Sequence, residues 1–291
     1  MVLTTACIGM SAPSEELAMP LFRAIFAAVQ PVETPEGTRL YRWEDPSGAR
    51  MTIERDGDEV ISVIPSFAVS STVAAGRAHL VGRRVVQVEV LDETPEGPPF
   101  MTFELERPQD FAARAAADSG DMFLTTFGTD VIFYENAASF SSSTDSLLTE
   151  DGSDADLPRI GAESYLSFGG AEGLLHGTVM SARVLTNSLT GQAFAAATVR
   201  SAGFSLEVCL PWSADLPAPS VGSLIGGDVY LIATLPGVTF QIVELDGPVH
   251  GLPVLYAPRD ESIEMGISNP VPRGWRALWD RITGRGGPTR A

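Results

Sequence analysis

The sequence predicts a β-rich α+β protein: an N-terminal mixed antiparallel sheet with helices, then a C-terminal OB-like β-barrel. Three observations carry that prediction. Residues 39–64 read as three strands joined by tight turns, a meander. From Leu174 to Leu235, β-type runs follow one another with polar turns, a Pro/Gly-rich excursion and a fourth run, the order of a small closed or half-closed antiparallel barrel. Between these regions, residues 149–158 have the acidic composition of an extended linker. The expected division is therefore 1–148 for an N-terminal α+β domain, 149–158 for the linker, 159–256 for the barrel and 257–291 for a tail with a short amphipathic helix.

In chain order, Val2–Met10 is β-rich and precedes turn chemistry, so a strand is expected there. Ser14, Glu15 and Glu16 form a helix start, with a capping hydroxyl and two carboxylates at the positive end of the dipole. Leu17, Leu21, Ile25 and Ala28 recur at helical spacing, and Pro20 either opens or kinks that helix. Arg39–Glu44 and Ala49–Arg55 make a hairpin around Asp45-Pro46-Ser47-Gly48, and Asp56-Gly57 turns into a third strand, Glu59–Ile64. Residues 65–76 read as a crossing segment. Arg84–Leu91 alternates as a half-buried strand and pairs with Phe100–Glu106 across the loop 92–99. A short helix is expected over 108–117, one strand or two over Met122–Tyr134, and a helix over Ala137–Leu148. In the barrel stretch, Asn187–Gln192 is a hairpin loop with Gly191 set for a left-handed conformation, and Ser201-Ala202-Gly203 is a tighter turn. A fourth strand opens at Gly226-Gly227, and Val238–Leu245 supplies a fifth.

Composition narrows the function. The chain has 291 residues and a net charge of −18, and all 19 basic residues are arginine. Without lysine there is no Schiff base, no P-loop lysine and no lysine general base. An acidic surface repels phosphate backbones, so duplex nucleic acid is not an expected partner. No apolar run reaches the roughly 20 residues of a membrane span. The N-terminus lacks the basic start of a secretory signal. Cys7 and Cys209 read as buried small hydrophobes in a reducing compartment, so the expected location is cytoplasmic.

The chain also resembles an uncharacterised two-domain protein family of high-GC bacteria with an OB-like C-terminal barrel. The residues that carry this are Trp43-Glu44-Asp45-Pro46-Ser47-Gly48-Ala49, Pro65-Ser66-Phe67, Ala162-Glu163-Ser164 and Thr186-Asn187-Ser188-Leu189-Thr190-Gly191-Gln192. The resemblance implies a fold and no activity.

No motif names a reaction. His79, His176 and His250 show no metal-ligand spacing, so neither a metal nor a cofactor is expected. Gly222-Ser223-Leu224-Ile225-Gly226 lacks the spacing of a hydrolase elbow, and Gly284-Arg285-Gly286-Gly287 follows no strand. No catalytic residue is assigned. On an OB-like barrel the binding face spans the second and third strands, which points to Arg183, Arg200, Phe204 and Trp212. In the tail, Trp275, Leu278, Trp279 and Ile282 fall at helical spacing among five arginines and one acid, a docking stripe with a net charge of +4. The leading expectation is a non-enzymatic binding or scaffolding protein with an OB-like domain and a protein partner at the tail. One alternative is a hydrolase or lyase that joins a carboxylate to His250 between the halves. A second is a selective single-stranded nucleic-acid binder, although two arginines and two aromatics are few for that task.

Overall fold

The computed structural model describes residues 2–12, 14–70, 73–81, 84–90, 100–107, 120–146, 160–168, 170–213 and 219–245. The expected strand over Val2–Met10 is a helix, α1 (Val2–Ala6), followed by a turn in which the Cys7, Ile8 and Gly9 amides donate to the carbonyls of Thr4, Thr5 and Ala6. So short a helix cannot stand alone in water; side chains of Asn187, Thr190 and Gln192 hold the segment that follows it. The second helix, α2 (Glu15–Ala28), runs through Pro20 and buries Leu21, Phe22 and Ile25. A third, α3 (Ala137–Ser142), is capped by the Asn136 side chain, which accepts from the Ala138 and Ser139 amides at 2.9 and 3.0 Å.

The strands are β1 (Val32–Glu33), β2 (Arg39–Glu44), β3 (Ala49–Asp56), β4 (Glu59–Phe67), β5 (Val73–Leu80), β6 (Val85–Val90), β7 (Phe100–Leu105), β8 (Gly120–Tyr134), β9 (Ser164–Ser167), β10 (Glu172–Thr186), β11 (Ala193–Ser201), β12 (Phe204–Pro211), β13 (Leu224–Thr234) and β14 (Gln241–Ile242). They form two sheets. The smaller runs β1-β2-β3-β4, with β14 parallel to β2. Its β2–β3–β4 meander lies where the turn chemistry places it. The larger has nine strands in the order β11-β12-β8-β5-β6-β7-β13-β10-β9, and two further pairings, β10 with β11 and β8 with β13, fold it back on itself.

This order overturns the expected OB-like barrel and, with it, the fold that the family resemblance implied. The described strands after residue 159 do not close among themselves. Between β12 and β13 lies β8, from the first half of the chain, parallel to β12 and antiparallel to β13. Strands β5, β6 and β7 extend the same sheet. The expected fifth barrel strand shrinks to the two residues of β14 and joins the other sheet. The misreading has a physical cause: hairpin turns report which strands are joined in sequence, but β12–β8 and β7–β13 are parallel pairs with no turn between them.

Two cores result. One lies inside the folded nine-stranded sheet and holds Phe103, Leu175, Ala195, Ala197, Phe204, Leu206, Val208 and Leu231. The other lies between the sheets and under both N-terminal helices, with Cys7, Ile25, Trp43, Met51, Phe67, Phe127, Phe194, Ala196, Cys209 and Ile232. The period-two pleat sends neighbouring residues of β11 and β12 to different cores. Both faces are therefore apolar, and these strands read as continuous runs without alternation. Among the described residues, no helix is long and apolar enough to cross a membrane.

Candidate functional site

β10 is long enough to outrun its neighbour. Its first part, Glu172–Thr178, pairs with β13. The rest, Ser181–Thr186, pairs with β11 on one edge and with no described strand on the other. The Asn187 amide donates to the Gln192 carbonyl, which sets the alternation of the ladder. It follows that the backbone groups of Ala182, Val184 and Thr186 point away from β11, toward the open edge. Met180 and Val184 are 45% and 40% exposed there, and Val221 beside the β13 end is 73% exposed. Natural edges are guarded by charge, proline or a bulge. This one has a bulge between Val179 and Ser181 and a single charge, Arg183. That charge is 46% exposed but is paired within the chain. Its Nη2 lies 2.6 Å from Glu207 Oε1, and the guanidinium sits 5.5 Å from the Phe67 ring.

The four expected barrel-face residues are spread out. Arg200 pairs with Glu163 at 2.8 Å near the β11–β12 turn. Phe204, at the same turn, is buried in the inner core, and Trp212, beyond the far end of β12, packs against that core. Arg183 is the one that borders the open edge. The tail residues Trp275, Leu278, Trp279 and Ile282, the linker, the helix expected over 108–117 and His250 all lie outside the described residues.

The loop 187–192 proves to be a clamp. Asn187 Nδ2 donates to the Ile8 carbonyl at 2.9 Å, Thr190 Oγ1 donates to the Gly9 carbonyl, and the Gln192 amide side chain bonds both backbone groups of Ser11 at 2.7 and 3.0 Å. Buried Asp45, from the β2–β3 turn, accepts from the Ser47 amide at 2.8 Å, the Ser188 amide at 2.9 Å and the Ser188 hydroxyl. Two stretches that stand out as turn signatures in the sequence therefore meet, and they position the N-terminal segment against β10 and β11.

Glu106 and His176 are two further buried titratable groups, and only His176 stands out in the sequence. Glu106 follows β7 in the seam between the sheets and is 4% exposed. Ser66 Oγ donates to its Oε1 at 2.8 Å, and Oε2 is buried without a hydrogen-bond partner among the described residues. Burial pushes the carboxyl up to about 7; Ser66 and the charges of Arg42 and Arg50 act in the opposite direction. The adjoining cleft, lined by Leu105, Arg107, Ala233, Leu235 and Val238, has room for about one water. That is too little for an organic substrate. In the Phe100–Glu106 run, Glu106 shares its sequence parity with Thr102 and Glu104 and so reads as wet-face; only the partner sheet buries it.

His176, in β10, is 3% exposed and stacks on Phe140 of α3 at 4.6 Å between ring centroids. It is a core group. Burial pushes it down to about 4, against a small upward effect of Asp145. Its Nδ1 lies 3.5 Å from Ser164 Oγ, which superficially resembles a nucleophile and base. The single Ser164 hydroxyl proton goes to the Gly161 carbonyl at 2.9 Å, so Oγ accepts from the imidazole and is not activated by it. No group of three or more potential metal ligands occurs among the described residues.

No family model matches the chain, and no curated protein or solved structure matches it. The resemblance to a two-domain family with an OB-like barrel is thus supported neither by the sheets nor by comparison. The binding or scaffolding reading built on that barrel falls with it, as does the single-strand reading.

Proposed function

We propose that this chain is a protein-interaction protein that takes an extended segment of a partner as an added strand on β10. The observation that carries this is the open edge at Ser181–Thr186, where the backbone groups of Ala182, Val184 and Thr186 point outward and Met180 and Val184 are exposed. Strand addition draws its affinity from main-chain hydrogen bonds and its selectivity from alternate side chains. The rest of the molecule suits that task, because the edge belongs to a sheet packed on both faces and clamped by the loop 187–192. The proposal replaces the readings that rested on a barrel. The arginine-rich tail stripe of Trp275, Leu278, Trp279 and Ile282 is a second proposed contact for a protein partner, and its charge of +4 against a body at −22 would let it fold home when no partner is bound. Two buried free cysteines fit a cytoplasmic setting.

Selection from a random peptide library tests the reading. Peptides of extended, alternating type should be recovered on the wild-type protein and lost on Val184→Pro, which deletes an outward amide that the fold does not use. Recovery of the same peptides on both proteins would refute it.

A further inference from the structure

The partner that the β10 edge fits best is identified by charge and register. We infer that it is a second copy of this chain, joined antiparallel about a two-fold axis through Val184; this rests on the strand-addition reading above. Between Met180 and Thr186 the only charged side chain is Arg183, and Glu207 of the same chain neutralises it. The edge therefore offers no acidic group to attract a basic peptide and no free cation to attract an acidic one. It matches a neutral strand, and its own copy is one.

The register follows from the outward backbone groups. With the axis at Val184, Val184 faces Val184 of the other copy, and Ala182 faces Thr186 on either side. This closes about six main-chain hydrogen bonds. Arg183 then lies opposite Leu185, so no like charges stand across the new ladder. A register centred on Arg183 would still pair the outward groups of Ala182 and Val184, but it would set two guanidinium groups side by side across the axis. The exposed apolar side chain of Val184 is thereby shielded in both copies.

A strand pair of this length buries less than a standard interface, so a micromolar dimer is expected. Salt gives it a signature. Each chain carries −18, and salt screens the repulsion between the bodies without weakening a neutral ladder. Association should strengthen as ionic strength rises; a basic partner would be released instead.

Sedimentation equilibrium on the full chain, from about 1 to 200 μM, is the test. The expected result is a monomer–dimer equilibrium that tightens between low and high salt. Val184→Asp and Val184→Lys should each raise the dissociation constant at least tenfold, because each sets like charges face to face at the axis. An equimolar mixture of the two should dimerise again, which misfolded variants could not do. A wild-type chain that stays monomeric throughout would overturn the inference, as would a dimer indifferent to both substitutions or a mixture that fails to recombine. A monomeric chain that still selects peptides sensitive to Val184→Pro would overturn the second copy and leave strand addition standing; absence of both would overturn both.

Discussion

In the five-stranded sheet, β2, β3 and β4 are neighbours in sequence and in space, and each turn between them carries its own instruction. In the nine-stranded sheet, β8 pairs with β5, β12 and β13, none adjacent to it in the chain. The first is held by local chemistry that tolerates change one turn at a time. The second depends on backbones approaching closely after long loops have closed. The difference teaches where mutation should hurt.

Two glycines test this most severely. Gly227 has φ +144° at the β8–β13 irregularity, and a Cβ there would stand 2.1 Å from the Asp130 carbonyl oxygen and 2.8 Å from Val131 Cα, both backbone atoms. Gly57, in the β3–β4 turn, also has positive φ, at +55°, but nothing lies within 4 Å of its added Cβ. Gly227→Ala should therefore cost at least about 3 kcal/mol, or abolish folding, through strain and overpacking together. Gly57→Ala should cost about 1 kcal/mol through conformation alone. Denaturant midpoints measure both, and equal losses would erase the contrast between the sheets.

The same contrast explains what could be read in advance. The turn Asp45–Gly48 and the strands on either side of it lie where Pro, Ser and Gly place them. Asp45 itself reads as turn chemistry, and its second task, holding Ser188, is invisible without the other sheet. α1 looks like a strand because Val2–Met10 is β-rich; tertiary hydrogen bonds from Asn187 and Thr190 instead fix the Ile8 and Gly9 carbonyls in the turn that follows it. The continuous apolar runs of β11 and β12 identify strands correctly, but they carry no mark of which neighbour each will take. The open edge of β10 was equally hidden, since it is defined by where β13 begins.

Proton linkage sharpens the comparison with a smaller effect. Glu106, in the seam between the sheets, has its pKa raised to about 7. The folded state keeps that proton when the unfolded chain has lost it, so stability is greatest below about pH 4.5 and declines as pH rises to about 7. His176, within the nine-stranded sheet, has its pKa lowered to about 4. Here the unfolded chain binds the proton first, so stability is complete above about pH 6.5 and falls as pH drops toward about 4. The two slopes oppose each other over one window, and the wild-type profile should be shallow there. Glu106→Gln should leave stability rising with pH, and His176→Asn should leave it falling, each by roughly 2–3 kcal/mol across the window. Thermal melts from pH 4 to 7.5 would show it; parallel profiles in all three proteins would place the titration elsewhere.

The smallest expected effect asks which side of the second core opens first. Cys7 and Cys209 are both free and fully buried in that core, one on the turn after α1, the other in β12 between two paired strands. Burial pushes both thiols far above their ordinary range, and only the thiolate reacts, so labelling must wait for opening. Exposing Cys209 requires β11 or β8 to part from β12. Exposing Cys7 requires only that the N-terminal segment leave the clamp of Asn187, Thr190 and Gln192. Cys7 should therefore react with a thiol reagent before Cys209 under native conditions. Asn187→Ala removes the donor to the Ile8 carbonyl, a loss of about 1–2 kcal/mol that should speed Cys7 labelling about tenfold. Cys209 should hardly respond, because its strand pairs are untouched. Mass spectrometry of the labelled peptides distinguishes the two sites. If both cysteines sped up together, α1 would open only with the whole molecule, and the N-terminal segment would belong to the nine-stranded sheet as firmly as β12 does.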